Sequence, residues 1–462
     1  MESHNKLNRR DFLSGVATLG AGSVLSSGMI LSSCSGSGDR SKYIPLRPAS
    51  EIYIPDLPDR AIDGKPIKAA LIGCGGRGTG AAFNFLDAGN DLSIVACADV
   101  FPDKMDACRQ LLKEKKGVEI SDEMCFTGFD AYEKICELPV DMVIIASPNC
   151  FHPEQMKYAV DRGKHVFVEK PPAIDPVGYR TFLTSAKQAK AKGLNVITGA
   201  QYHYDRPFVA SYQKIQEGYI GKIVSAIVYY NTSNENFIVR KPEWSDMEYI
   251  IRGHFNWNWM NGDQISNMLI HWIDVFVWFS HLKPLKAIGF GSRIRRVAGN
   301  VYDNFSMDFE FEGGVHLFGM VRRIDSCDNK QGIIIQGDKG VWSSNDFSIR
   351  DLDGNLIWKY DDEAAKKQFT THDMYTLEHI EMVNYIRQGK VIDIVETNAT
   401  SAMACIMARE SAYTGRVYTW EQMLQSDLKM GPNEWAFGKV DMEKLGSLPL
   451  PGIPGKDSRQ IL

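Results

Sequence analysis

The chain lacks a CxxC pair, a dominant charge and a long uninterrupted hydrophobic run. Its nine cysteines, Cys34, Cys74, Cys97, Cys108, Cys125, Cys136, Cys150, Cys327 and Cys405, are scattered over 462 residues. Without paired spacing they offer no structural zinc site, and no metal is expected. A disulfide framework belongs to smaller chains without a real core, so the thiols read as small core hydrophobes. A formal net charge of −5 provides no basic field, which argues against nucleic acid or an anionic membrane surface as partner. Hydrophobic content of 44% and charged content of 24% are those of a globular protein, and the length predicts two domains.

The run from Phe12 to Leu31 is diluted by glycine and serine and has no flanking charge cluster, which argues against a spanning anchor. Arg9-Arg10, followed by Asp11, Phe12 and Leu13, resembles a twin-arginine export signal. Leu31-Ser32-Ser33-Cys34 resembles a lipobox, in which the cysteine is lipidated. Residues 1–34 are thus expected to be a signal and Cys34 a lipid anchor, the only membrane attachment, on an exported periplasmic or membrane-anchored protein. Residues 35–66 are polar, Pro-rich and aperiodic, and read as a tether.

From Ile67 the pattern changes. "IKAALIGCG" is a short apolar run ending in glycine, as a buried parallel strand does. Gly73, Gly75 and Gly78 stand at G-x-G-x-x-G spacing, with Gly76 and Arg77 inside the loop. That spacing provides a tight turn, backbone approach to a pyrophosphate, and close helix–strand contact, with the helix expected to start near Gly78. A second strand, "LSIVACADV", ends at Asp99, 21 residues after Gly78, where a carboxylate would take the adenosine ribose hydroxyls and favour NAD over NADP. Further strands, "VDMVIIASP" and "KHVFVEKPP", continue the alternation. A Rossmann dinucleotide-binding domain over 67–200 is therefore expected.

Ligands in such sheets lie beyond the carboxyl ends of the strands. "SPNCFH" presents Ser147, Asn149 and His152 there, and "VEKPP" presents Glu169 and Lys170 before a rigid Pro-Pro turn. "GCGGRG", "SPNCFH" and "VEKPP", in this order, resemble the Gfo/Idh/MocA oxidoreductases over roughly Ile67 to Trp420. The resemblance implies an α/β protein: the Rossmann domain, then a domain over 201–425 with a large open, mostly antiparallel sheet that often pairs protomers into a dimer or tetramer. It also implies NAD(P) contacts from Gly73, Gly75, Gly76, Arg77, Gly78, Asp99, Ser147, Asn149, His152, Glu169 and Lys170.

The family's third motif matches "GDQISNMLIHWIDVFVWF". Asn267, His271 and Asp274 fall at i, i+4 and i+7, on one helical face. The resemblance makes His271 a catalytic group beside Lys170. Many members carry Asp where Asn267 stands, and an amide cannot take a proton, although it can still position a hydroxyl. Asp274 is either structural or a hydrogen bonder towards substrate. "GAQYHYDRP" offers Tyr202, Tyr204 and Arg206, and "RGHFNWNWMNGD" offers Trp257, whose ring suits a pyranose face or a core equally. Residues 426–462 read as a tail without catalytic signal.

The expected chemistry is oxidation of a sugar or glycoside hydroxyl, with Lys170 as base and His271 sharing the proton. Because free nucleotide is scarce outside the cytoplasm, the cofactor is expected to be loaded before export and held. A second reading is an NAD-dependent glycoside hydrolase of the α-N-acetylgalactosaminidase type, which oxidises transiently and eliminates the aglycone. A third is a glycan-binding lipoprotein with a vestigial nucleotide site.

Overall fold

In a computed structural model of the chain, residues 43–233 and 237–453 are described. The Arg9-Arg10 signal, Cys34 and the first residues of the expected tether lie outside the described residues. Six strands, β1 (Ile67–Ile72), β2 (Leu92–Asp99), β3 (Cys125–Thr127), β4 (Met142–Ile145), β5 (His165–Val168) and β6 (Val196–Thr198), form one parallel sheet in the order β3-β2-β1-β4-β5-β6. β4 is buried at every residue and β1 at all but Lys68, as a sheet covered on both faces requires. The strand order reverses between β1 and β4, so their carboxyl ends open a crevice for a ligand.

A second sheet of nine strands runs β14-β13-β12-β11-β7-β10-β9-β8-β15. Its members are β7 (Ile223–Thr232), β8 (Pro284–Ser292), β9 (Asn304–Phe311), β10 (Val315–Arg323), β11 (Lys330–Gly337), β12 (Gly340–Ser343), β13 (Ser348–Asp351), β14 (Leu356–Lys359) and β15 (Tyr418–Thr419). Neighbours are antiparallel except β10 and β7. The fold is therefore α/β, with a Rossmann sheet followed by a mostly antiparallel one. In β9 the alternation is strict: Phe305, Met307, Phe309 and Phe311 are buried, and the residues between them are half-buried. The inner face is covered by the helices Ile270–Ser280 and Val395–Thr414, the second buried around almost its whole circumference and ended by Gly415 in the left-handed region. Among the described residues, the outer face carries Ile288, Phe290, Phe318 and Met320 exposed.

Two segments depart from the sequence expectation. From Tyr43 the supposed tether is packed: Leu57 and Ala61 are buried, and the Ile62 N–H donates to Asn384 Oδ1 at 2.8 Å. An aperiodic, Pro-rich stretch has no ladder of its own, and here its backbone groups find partners on the domains instead. The segment 426–453 crosses from one domain to the other. Met430 N–H donates to Asp175 Oδ2 at 2.9 Å, Met247 N–H to the Gly438 carbonyl at 3.1 Å, and Trp259 Nε1 to the Leu445 carbonyl at 2.9 Å. Its Trp435 lies 4.4 Å from the Phe151 ring and 5.9 Å from Trp259, and its Phe437 lies 5.0 Å from Phe129. Among the described residues, no helix is long and apolar enough to cross a membrane.

Candidate active site

The loop after β1 shows why each glycine is there. Gly73 has φ +92°, and a Cβ on it would lie 2.6 Å from Ala146 C and Ser147 N. A Cβ on Gly78 would stand 1.8 Å from the Gly73 carbonyl oxygen. Cβ atoms on Gly75 and Gly76 would meet nothing within 4 Å. Two glycines thus permit strand, turn and helix to close together, and two leave space open in front of the turn. The helix Gly76–Asp87 starts two residues earlier than expected, because Gly75 already has extended dihedrals and acts as N-cap. No side chain caps it, so its first-turn donors and positive dipole end are left for an anion.

This space continues into a cavity of about 230 Å³ lined by Gly73, Gly75, Gly76, Asp99, Ser147 and the rings of Phe101, Phe129 and Phe151. Asp99 accepts from Cys74 N–H at 2.7 Å and Phe101 N–H at 2.9 Å, which fixes its carboxylate at the cavity wall. Burial pushes its carboxyl up from the usual range. Arg252 and His254 complete the wall from the second domain. Arg252 spans the cleft in a paired contact with Asp103, at 2.8 and 3.0 Å, and lies 3.9 Å over the Phe101 ring. A dinucleotide fits these features: an uncapped helix end over open glycines for the pyrophosphate, a carboxylate for the ribose and an aromatic slot for the base.

A second, smaller hollow of about 20 Å³ lies where the Rossmann strands face the helix Ile270–Ser280. Lys170, Thr198, Tyr202, His271, Asp274 and Asn398 line it. The half-buried Lys170 donates from Nζ to the Asn267 carbonyl at 2.7 Å. That carbonyl belongs to a π-helical turn, Ile265–Leu269, immediately before the helix Ile270–Ser280. Wider turns of this kind break the i to i+4 ladder and commonly mark functional sites. The turn also upsets the expected single face: Asn267 does not line the hollow, and its Nδ2 is buried without a hydrogen-bond partner. Its contribution to Lys170 is made through the backbone.

His271 receives Gln201 Nε2 on its Nδ1 at 3.2 Å. Burial and then the Lys170 charge hold its imidazole well below the ordinary histidine range. Asp274, one turn on, is fully engaged. Its Oδ2 lies 2.6 Å from His203 Nε2, and its Oδ1 takes Asn398 Nδ2 at 2.9 Å and Ser401 Oγ at 2.8 Å. Removing this buried acceptor leaves His203 Nε2 and Asn398 Nδ2 unmatched, while Ser401 Oγ keeps the Thr397 carbonyl at 3.0 Å, so Asp274→Ala is expected to destabilise the fold by roughly 3 kcal/mol. A chemical-denaturation midpoint reads this; an unshifted midpoint would show the carboxylate to be dispensable.

The other expected site residues divide. Ser147 faces the large cavity and donates to Gln155 Oε1 at 2.5 Å. Glu169 does not line it; the carboxylate forms an ion pair with Arg77 Nε at 2.7 Å, bracing the glycine loop against β5, and Arg77 lies 4.6 Å over the Tyr375 ring. His152 is fully buried, with Nδ1 2.9 Å from the Pro171 carbonyl and Nε2 2.8 Å from that of Ser147, so it ties two strand ends together behind the cavity. Asn149 turns away and donates to the Asn261 carbonyl at 3.0 Å.

Tyr202 is at the hollow, 5.8 Å from the His271 ring. Three residues expected beside substrate lie elsewhere. Tyr204 is fully buried near Glu378 and Glu381. Arg206 donates to the carbonyls of Leu57 at 2.7 Å and Thr371 at 3.0 Å and stacks 3.6 Å over Phe369, pinning the packed N-terminal segment. Trp257 packs in a core cluster with Phe101, Ile251 and Met260. A polar-aromatic run at a strand end does not say which side chains turn outward. Gln201, Thr198, Asn398 and Arg252 were missed as site residues. Gln201 sits inside a stretch already singled out, whereas Asn398 lies on a distant helix with no local signal.

Comparison with known proteins decides the family. A model described as "Oxidoreductase family, NAD-binding Rossmann fold" matches residues 67–197, and the "GFO/IDH/MocA C-terminal domain" matches 208–343. The chain belongs to the GFO/IDH/MocA family. It is 30% identical to "Glycosyl hydrolase family 109 protein 1" of Bacteroides fragilis over 28% of this chain and 27% of that protein. It is 25% identical to "Inositol 2-dehydrogenase" of Rhizobium meliloti over 54% of this chain and 67% of that one. The chain thus spans about a quarter of the first curated relatives it matches. The structure of apo scyllo-inositol dehydrogenase from Lactobacillus casei has the same fold: TM-score 0.58 at 20% identity, over 78% of this chain and 99% of that one.

Proposed function

We propose that this member of the family is an NAD-dependent oxidoreductase acting on a CH–OH group of a sugar or glycoside. The observation that carries the reading is the convergence of Lys170 and His271 on one hollow at the strand ends, beside a cleft shaped for a dinucleotide. When bound, NAD supplies the hydride acceptor. Lys170 Nζ, steered by the Asn267 carbonyl, takes the hydroxyl proton, and His271 holds the reacting oxygen. Thr198, Tyr202 and Asn398 offer further polar contacts to a polyol. Asp99 favours NAD; Lys104 and Arg252, on the same wall, are the charges a 2′-phosphate would meet, so NADP belongs in the same test.

The cofactor is read as resident, because the 426–453 segment and Arg252 join both domains beside its cleft. The experiment is to purify the protein without added nucleotide, denature it, identify what is released, and scan sugars for reduction of the bound cofactor. Stoichiometric NAD and reduction by a sugar support the reading. A nucleotide-free protein that reduces no added NAD or NADP with any sugar defeats it.

The hydrolase reading has its own support, since the first curated relatives are named as glycosyl hydrolases of family 109. Release of nitrophenol from nitrophenyl glycosides, without net cofactor reduction, would favour it. Export with a lipid on Cys34 remains part of the proposal, and mass analysis of the mature N-terminus tests it: an intact Met1 end counts against it. The exposed Ile288, Phe290, Phe318 and Met320 suit a second copy of this sheet. Phe318→Glu should then shift the light-scattering mass towards a monomer, and an unchanged oligomer would place the contact elsewhere.

A further inference from the structure

The family resemblance pairs the motif histidine with an acidic residue one turn earlier, and this chain has Asn267 there. His271 nevertheless has a polar partner on Nδ1. Gln201, only 4% exposed, comes from the 3-10 turn Gln201–Tyr204 after β6 and places Nε2 3.2 Å from that nitrogen. The nearby acids and amides do not take this role. Asp274 is consumed by His203, Asn398 and Ser401. The Asn267 Nδ2, in the π-helical turn, is buried without a hydrogen-bond partner. Facing His271 are also Lys170 from the end of β5, the Tyr202 ring at 5.8 Å and the Tyr230 ring of β7 at 6.4 Å.

An amide N–H can only donate, so the ring nitrogen it meets must carry a lone pair. In the neutral imidazole the proton then sits on Nε2, the ring's other nitrogen. We infer that Gln201 is a positioning residue that fixes His271 as the Nε2–H tautomer, so that His271 donates to the reacting oxygen while Lys170 alone removes the proton. This rests on the oxidoreductase reading and deepens it by dividing the roles of two groups that the sequence left sharing one proton. In the oxidising direction the substrate hydroxyl proton passes to the Lys170 amine, and His271 stabilises the oxygen as negative charge grows on it. In the reducing direction the Lys170 ammonium returns that proton to the oxygen.

The tautomer is open to measurement without any turnover. With ¹⁵N-labelled histidine, the His271 signal, assigned by its loss in His271→Ala, should show a pyridine-like Nδ1 and a pyrrole-like Nε2. A pyrrole-like Nδ1 in the unmodified protein overturns the inference. Gln201→Glu keeps the shape but turns the donor into an acceptor, so Nδ1 should gain a proton and its shift should become pyrrole-like; an unmoved spectrum also overturns it. Gln201→Met removes the donor, and kcat should fall roughly ten- to a hundredfold with KM within about threefold. An equal loss through KM alone would make Gln201 a binding or structural residue. Should no sugar prove to be a substrate while Nδ1 is still pyridine-like, the functional reading fails and the tautomer assignment stands.

Discussion

Lys170→Met is expected to lower kcat by about a thousandfold while the nucleotide stays bound, because a positioned general base contributes ~10²–10⁴ in rate. The side chain is held in place. Its Nζ is drawn to a carbonyl that a π-helical turn presents, and it shares a hollow with His271. Methionine keeps the length and loses the proton acceptor. The residues read as nucleotide contacts, Gly73, Gly75, Gly76 and Asp99, line the larger cavity, so the content of released nucleotide should match the unmodified protein. Activity within tenfold of the unmodified protein, at full nucleotide content, would remove Lys170 from the chemistry.

Gly78→Ala is expected to have the other large effect, on folding and binding together. The new methyl would lie 1.8 Å from a backbone oxygen of Gly73, which cannot rotate away as a side chain could. Helix and strand must separate, and overpacking of that kind costs about 1–3 kcal/mol or more. The loop would lose its shape, and nucleotide affinity should fall at least about a hundredfold, a difference of roughly 3 kcal/mol. Gly75→Ala provides the contrast. Its methyl meets nothing within 4 Å, so the melting temperature should hold while the methyl intrudes on the space read as the pyrophosphate site. Equal losses of stability in both variants would contradict the assignment of separate tasks to the two glycines.

The Rossmann half was legible because its signals are local. β1 and β4 are continuous apolar runs, the glycine spacing is fixed by contacts within a few residues, and Asp99 follows at a set distance. Lys170 stood out at a strand end before a rigid Pro-Pro turn, whereas His271 was singled out through a family motif; periodicity alone would have left His271 as a core residue. What escaped was non-local. A 3.6-residue period cannot disclose a π-helical turn, so Asn267 was placed on the same face as His271. Thr198 and Asn398 meet across 200 residues of sequence, their side chains hydrogen-bonded, and nothing near either marks it. Arg206 looked like a substrate ligand because its neighbours are aromatic, yet its carbonyl partners lie at Leu57 and Thr371.

The residues after Ser426 bear on how this protein could breathe. Any hinge motion that parts the Rossmann sheet from its companion must lift Trp435 from Phe151 and Phe437 from Phe129 and Phe101. Each such ring contact is worth about 0.5–1.5 kcal/mol beyond the area it hides, and Arg252 must also leave Asp103. Gaping of the crevice therefore carries the cost of breaking these contacts, and a protease that clipped this clasp should speed the release of whatever the crevice holds.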